Sequence, residues 1–372
     1  MVEYQVCSRC VMDTTASDIV FDENGVCNYC TTFKTRLSDA RAKVQDLQSH
    51  RDEFIAKVKA DGKGKEYDCI VGISGGVDSS YALHLAVKHG LRPLAVHLDN
   101  GWNSELASNN MANLVASLGV DLYTHVIDWE ENRDLQRSFF KANVIDLELL
   151  MDNAMLALNY QQAAKYRLRN ILSGSNTATE GLPVPPRWNH FKYDARNIRE
   201  IHKRYGSIPI KTFPLFSVMD WIKYRYLGKI MWIPFLDYFP YNKAEALKLL
   251  QREYGYKPYP YKHYESIFTR FYQGYILPKK FGYDKRRVHL STLIMSGQMT
   301  RVEAMKLLED PPYPDPRQEE QDRLLVIKRL GFSEEDFNRY ISAAGVPHQE
   351  YGSEKIVWDA CARVYKLITF RI

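Results

Sequence analysis

Residues 71–80 read Val-Gly-Ile-Ser-Gly-Gly-Val-Asp-Ser-Ser. The stretch is a glycine turn between an apolar run and a segment of helical spacing, and its reading decides the fold. Gly75 and Gly76 permit positive φ and let a phosphate approach backbone N–H groups, while a helix beginning near Ser79 aims its positive dipole end at the same point. Ser74, Ser79 and Ser80 add hydroxyl donors, and Val77 and Asp78 complete the turn. The lysine that a nucleotide triphosphatase loop places in its turn is missing.

Outward from the turn, strands alternate with helices. Asp68–Ile73 is a short apolar run, Ser79–His89 has helical spacing and stops at Gly90, and Pro93–Leu98 is the next strand. Ser104–Leu118 is helical and stops at Gly119, Leu122–Ile127 gives a third strand, and the apolar-periodic stretch Asn143–Arg169 precedes a fourth at Asn170–Ser173. Such alternation predicts a parallel sheet covered by helices, with ligands bound at the carboxyl ends of the strands. Three loops fall at those ends: SGGVDSS, DNGWNS and GSNTATEG.

A chain of 372 residues points to two or three substructures rather than one core. Its 45% hydrophobic and 26% charged residues exclude a disordered, collagen-like or coiled-coil protein. No run approaches the ~18 apolar residues that span a bilayer, and MVEYQVCSRC has neither a basic nor an apolar targeting region. A cytoplasmic protein without membrane contact is expected. The net charge of +5 is unevenly placed: from Arg252 to Arg287 nine Lys or Arg, Lys262 among them, stand against three acids. That window meets something anionic or forms a solvated basic face.

Four of the six cysteines lie in the first 30 residues. Cys7-Ser-Arg-Cys10 and Cys27-Asn-Tyr-Cys30, separated by sixteen residues, bring four thiolates to one tetrahedral ion, with a hairpin signal at Asp22-Glu23-Asn24-Gly25 between them. The pattern reads as a zinc ribbon. Two disulfides are disfavoured by a reducing cytosol and by the poor geometry of cysteines so close in sequence, and an iron–sulfur cluster is also open to a four-cysteine set. A closed shell leaves no coordination position for chemistry, so the ion stabilises a small fold. The polar helical stretch that follows, with Val44, Leu47, Phe54, Ile55 and Val58 as its apolar residues, is too sparse for a buried core element and reads as a linker ending at Asp61-Gly62-Lys63-Gly64.

The SGGVDS string resembles the signature of the N-type ATP pyrophosphatases, or PP-loop enzymes, which include NAD synthetase, GMP synthetase, asparagine synthetase and several tRNA-modifying enzymes. The resemblance implies an α/β fold: a Rossmann-like PP-loop domain with a parallel sheet (residues 65–215), after a zinc ribbon (1–38) and helical linker (39–64), and before a mainly helical lobe for substrate and partner (216–372). It implies ATP binding at Ser74, Gly75, Gly76, Val77, Asp78, Ser79 and Ser80, with Asp99 and Gly174 at neighbouring strand ends. The loop then holds pyrophosphate as a leaving group while a substrate oxygen attacks the α phosphorus, so no transfer lysine is required. Asp78 and Glu180 of Gly-Ser-Asn-Thr-Ala-Thr-Glu occupy the places of magnesium ligands.

The resemblance implies that ammonia or a sulfur species then displaces the adenylated oxygen from its carbon. Beyond the ribbon only Cys69, in a predicted core strand, and Cys361 remain, so ammonia is favoured over sulfur. The chain lacks a cysteine at its second position and any Gly-x-Cys-x-Gly elbow, so a separate glutaminase is expected to supply that ammonia. CSRCVMDTT with its second CNYC knuckle, HLDNGWNSE, Lys192 to Arg199, FTRFYQGYILPKKFGYDKRRVHLS and SGQMTR together resemble the N-acetyl sugar amidotransferases of surface-polysaccharide synthesis, the WbpG/PseA type. This implies conversion of an acetamido group on a nucleotide-activated sugar to an acetamidino group, in lipopolysaccharide or O-antigen synthesis. It also implies two partners, the glutaminase and a cyclase-like barrel akin to that of imidazole glycerol phosphate synthase.

Charge developing on the α phosphate and on the sugar's anionic groups requires cations. Lys279, Lys280, Arg286, Arg287 and His289 are the catalytic candidates beside Asp78, and Asp194, Arg196, Asn197 and Arg270 the candidates for substrate binding. Tyr241–Tyr254 reads as an amphipathic helix, Pro311–Pro316 as a stiff connection, Ser333-Glu-Glu-Asp336 as a capping box, and Gln318–Leu330 and Glu354–Phe370 as further helices. A PP-loop tRNA thiolase is the rival enzyme, since tyrosines interleave with Lys and Arg between 254 and 287 as in a nucleic-acid surface. A scaffold protein with a disused loop is the non-enzymatic one.

Overall fold

The computed structural model describes residues 3–42, 46–259 and 264–369. Val44, Lys262 and Phe370 lie outside them. At the centre is a five-stranded, wholly parallel sheet in the order β3-β2-β1-β4-β5. Its strands are β1 (Cys69–Gly72), β2 (Pro93–Asp99), β3 (Leu122–Val126), β4 (Asn170–Ser173) and β5 (Met231–Pro234). Register pairs Gly72 with Val96, Ile70 with Ile171 and Ile171 with Trp232. The central strands β1 and β4 are short runs buried on both faces, as a covered parallel sheet requires. Strand order reverses between β1 and β4, which opens a crevice beyond their carboxyl ends.

Helices Val77–Lys88 and Glu105–Leu118 cover one face of the sheet, and Leu149–Lys165 the other. Ser104 caps the second of these through Ala107 N–H at 3.2 Å, and Gly119 ends it at φ +62°, a conformation that glycine adopts without a Cβ penalty. A third apolar core lies under the carboxyl-terminal helices, where Phe139, Phe268, Phe271, Val326 and Phe337 pack together.

Two sequence expectations change. The helix Leu47–Asp61 is not a bare linker: Val58 and Ile55 are buried in the same core as Val71, and the Phe54 ring stacks 4.2 Å from Tyr238. A few apolar residues on one side of a helix suffice when the face they meet is aromatic. The sheet also continues beyond residue 215 through β5, whose Pro234 sits on an edge where a missing N–H costs no ladder bond. Among the described residues no helix is long and apolar enough to cross a membrane.

The ribbon is built as its spacing predicts. Phe21 and Cys27 bridge antiparallel across a turn in which Gly25 has φ +74°. Cys7, Cys10, Cys27 and Cys30 are buried, with their Sγ atoms within 4.8 Å of one another.

Candidate active site

A cavity of about 700 Å³ opens at the carboxyl ends of β1, β2 and β4. Ser74, Gly76, Val77, Asp78 and Ser79 form one wall, at the amino terminus of the helix Val77–Lys88. The turn is held from both sides. Gly75 has φ +83°, and a Cβ there would meet Ala107 at 3.1 Å. Its carbonyl oxygen accepts from the hydroxyls of Tyr256 (2.8 Å) and Tyr259 (2.9 Å). Ser79 Oγ accepts from Ser74 N–H at 3.2 Å and lies 3.3 Å from Ser74 Oγ, so the hydroxyls sit together at the mouth of the turn. Gly174 lines the opposite wall, and a Cβ on it would come within 2.6 Å of Ser79 N. The two strand-end loops can approach this closely only because residue 174 is glycine.

Asp78 faces the cavity and is met by two residues that sequence reading did not single out. Tyr241 donates its hydroxyl to Oδ1 and Lys243 Nζ lies 3.3 Å from Oδ2. Burial, and then the carboxylates of Asp78 and Glu180, hold the Tyr241 phenol well above its ordinary range, so it stays a donor. Asp78 and Glu180 both line the cavity, and the charge of each acts on the Tyr241 phenol. Magnesium on a nucleotide takes one or two carboxylates together with phosphate oxygens, and this pair fits that donor set. His289 also lines the cavity, with Nδ1 3.3 Å from the Thr179 carbonyl oxygen. Farther along the wall, Lys285 reaches Glu148 at 3.1 Å, and Gln273 donates to the same carboxylate.

Other predicted positions lie elsewhere. Ser80 is fully buried in the helix, and Asp99 holds the turn after β2 by accepting from Gly101 N–H at 2.8 Å, while Asn100 and Asn103 line the cavity in its place. Lys279 pairs with Glu319 at 2.6 Å. Lys280 donates to Tyr340 O and Ala343 O at a helix end, and burial pulls its ammonium down to about 8. Arg286 is clamped to Asp284 and donates to the Leu307 and Asp310 carbonyls, and Arg287 pairs with buried Asp13 of the ribbon at 2.9 Å. Arg270 forms a double-pronged pair with Asp322 at 2.6 and 2.8 Å. Asp194 caps the helix Ala195–Tyr205 through Asn197 N–H, the Asn197 amide donates to the His348 and Gly352 carbonyls, and exposed Arg196 offers its backbone N–H to Glu354. The structure does not bring these residues to the cavity.

At the ribbon, Sγ separations of 3.7 Å (Cys10–Cys27 and Cys27–Cys30) and 4.0 Å (Cys7–Cys30) exclude disulfides, and the cysteines are free. One tetrahedral ion with metal–sulfur bonds of about 2.3 Å sets its ligands about 3.8 Å apart. The four thiolates fit a single ion. A cluster of several irons with bridging sulfides needs its thiolates spread wider. Cys10 N–H and Cys27 N–H point at Cys7 Sγ from 3.4 and 3.3 Å, as donors to a thiolate.

A glycine turn without lysine, placed at the switch point of a five-stranded parallel sheet, makes this an α/β protein with the architecture expected of a PP-loop domain. Residues 265–365 match the family model described as LPS biosynthesis protein WbpG-like, C-terminal domain. No curated protein matches the sequence. Among solved structures, the chain is similar to NMN synthetase from Francisella tularensis at 18% identity and TM-score 0.27, over 58% of this chain and 98% of that one. It is similar to the NH3-dependent NAD synthetase of Campylobacter jejuni at 16% identity and TM-score 0.30, over 56% and 85%. It is also similar to the U34-tRNA thiolase NcsA of Methanococcus maripaludis, solved with its 4Fe–4S cluster, at 11% identity and TM-score 0.32, over 83% and 89%.

Proposed function

We propose that this protein is an ATP-dependent amidotransferase that converts an N-acetyl group of a nucleotide-activated sugar to an acetamidino group, forming AMP and pyrophosphate. The observation that carries the reading is the cavity itself. It joins a phosphate-binding turn to a wall of carboxylates, amides and lysines, and among the described residues no cysteine lines it. Cys69 is buried in β1, where loss of water pushes its thiol far up, and Cys361 lies on the helix Lys355–Thr369. Sulfur transfer has no nucleophile here, which favours ammonia over the tRNA-thiolase reading.

In this reading the acetamido oxygen attacks the α phosphorus, and the bond to the β-phosphate oxygen breaks. Pyrophosphate leaves onto the N–H groups at Gly76–Ser79 and onto Lys243. Ammonia then adds to the imidoyl carbon and AMP departs with the former acetamide oxygen. Asp78 and Glu180 would hold the magnesium that neutralises the phosphates. Zinc is the ion proposed for the ribbon, a separate glutaminase and cyclase-like barrel the source of ammonia, surface-glycan synthesis in the cytoplasm the setting.

The test incubates the protein with ATP, ammonium and a panel of acetamido nucleotide sugars whose carbonyl carries 18O. Label in AMP together with an amidine product supports the proposal. ADP with inorganic phosphate, or AMP without label, refutes it, and co-purified tRNA whose modification consumes ATP would favour the thiolase.

A further inference from the structure

On the face of the sheet covered by the helix Leu149–Lys165 the cavity continues as an apolar slot between Val96, Leu98 and Ile171 of the sheet, Met155 of the helix, and Trp232 of β5. Asn159 is the buried polar group of this slot whose acceptor lacks a partner among the described residues. It is 1% exposed and lines the cavity. Its Nδ2 donates to the Met155 carbonyl oxygen at 2.8 Å, which fixes which end of the amide is which. Its Oδ1 has no hydrogen-bond partner. Opposite stands Gly72, the last residue of β1, where a Cβ would lie 3.0 Å from that oxygen and 3.2 Å from Nδ2. Glycine at 72 thus leaves room beside this buried acceptor that a Cβ would take up. An amide oxygen buried in apolar surroundings without a donor costs stability, so its retention calls for a ligand that supplies one.

Gly72 is two residues from Ser74, so the slot begins where the phosphate-binding turn ends. A nucleotide whose phosphates rest on the turn has a flat base to place beside it, and apolar walls with a single acceptor suit a purine bearing an amino group. Adenine presents its 6-amino donor. Guanine and hypoxanthine present a carbonyl oxygen at the same position, which would face Asn159 Oδ1 lone pair to lone pair.

We infer that Asn159 Oδ1 accepts the 6-amino group of adenine in the slot beside Gly72 and selects ATP over other purine nucleotides. The inference rests on the reading of this protein as an ATP-using enzyme and adds the residue that reads the base.

Calorimetric titration of the full-length protein with magnesium ATP, magnesium ITP and pyrophosphate tests it. The parent protein should bind ATP roughly tenfold more tightly than ITP, the loss expected for one hydrogen bond to a buried acceptor. In Asn159→Leu that preference should vanish, with pyrophosphate affinity unchanged and the melting temperature of the ligand-free protein not lowered. Gly72→Ala, which covers the oxygen, should weaken ATP without weakening pyrophosphate. Equal binding of ATP and ITP by the parent, or a preference that survives in Asn159→Leu, overturns the inference. A protein that prefers ATP yet forms no amidine keeps this inference and removes the proposed function. Amidine formation with equal use of ATP and ITP does the reverse.

Discussion

Lys243 Nζ lies 3.3 Å from Asp78 Oδ2 across 165 residues of sequence, at the mouth of the glycine turn. Asn242 caps the helix Lys243–Tyr254 through two N–H groups, which sets the lysine in the first turn, and Gln298 accepts the Lys243 N–H at 3.0 Å. The cation that the loop itself lacks is therefore delivered from a distant helix and held beside the loop's aspartate.

Removing that charge should slow the step in which pyrophosphate departs. Lys243→Gln is expected to lower the rate of pyrophosphate release by about a hundredfold, the usual scale for losing one preorganised charge at a transition state. The metal content of the ribbon should not change. A variant with parental turnover would return Lys243 to the role of a structural partner of Asp78. Asp78→Ala should abolish turnover and likewise leave the ribbon ion in place.

Arg270 behaves differently. Its side chain is 11% exposed, its partner Asp322 is 3% exposed, and Tyr313 donates its hydroxyl to the same carboxylate. Breaking a buried, hydrogen-bonded pair from one side leaves an uncompensated charge and costs about 3–5 kcal/mol. Arg270→Met should lower unfolding stability by that amount in denaturant titrations and leave the KM for the acceptor sugar unchanged. A raised KM with parental stability would return Arg270 to the substrate.

The contrast between these residues shows what the sequence could reveal. The turn, its strand and the cysteine pairs were legible because their meaning lies in contiguous spacing. The excess of cations between 252 and 287 was not, because its neutralising partners come from outside the window: Asp322 for Arg270, Glu319 for Lys279, Glu148 for Lys285 and Asp13 for Arg287. A local charge count cannot see them. Tyr256 and Tyr259 belong to the same window, yet they brace Gly75 through their hydroxyls. Lys243, Tyr241 and Asn159 are common residue types in unremarkable helical or loop contexts, and only the fold carries them to the cavity.

Loss of the ribbon ion should be felt at the cavity. Arg301 donates to the carbonyl oxygens of Cys7 and Cys10, Val11 N–H reaches Ser291, and Arg287 pairs with Asp13. Ser291 and Arg287 stand on the helix Arg286–Met295, which also carries His289 to the cavity wall. Elemental analysis should find one metal ion per chain, without the visible absorbance of an iron–sulfur cluster. Cys27→Ser or strong chelation should lower the melting temperature and weaken ATP binding together. Full ATP affinity in a metal-free, folded protein would separate the ribbon from the site.

Acid should destabilise the junction between the helix Ala195–Tyr205 and the carboxyl-terminal segment through one histidine. His348 Nε2 accepts Asp146 N–H at 3.2 Å, Nδ1 donates to Asn197 Oδ1 at 2.8 Å, and the ring stacks 4.2 Å from His190. Burial, reinforced by the neighbouring His190 and by Lys192 and opposed by Asp146 and Asp194, holds His348 down to about 3 against an ordinary value of 6.5. The unfolded chain then binds a proton between those values that the folded chain does not, so stability is complete above pH 6.5 and is lost as pH falls toward 3. Between pH 6 and pH 4 one such proton contributes a slope of about 1.4 kcal/mol per pH unit. His348→Gln should show a correspondingly shallower decline in unfolding free energy over that range, since any effect of acid on the ribbon is common to both proteins. Parallel curves for parent and variant would mean that His348 takes up its proton in the folded state.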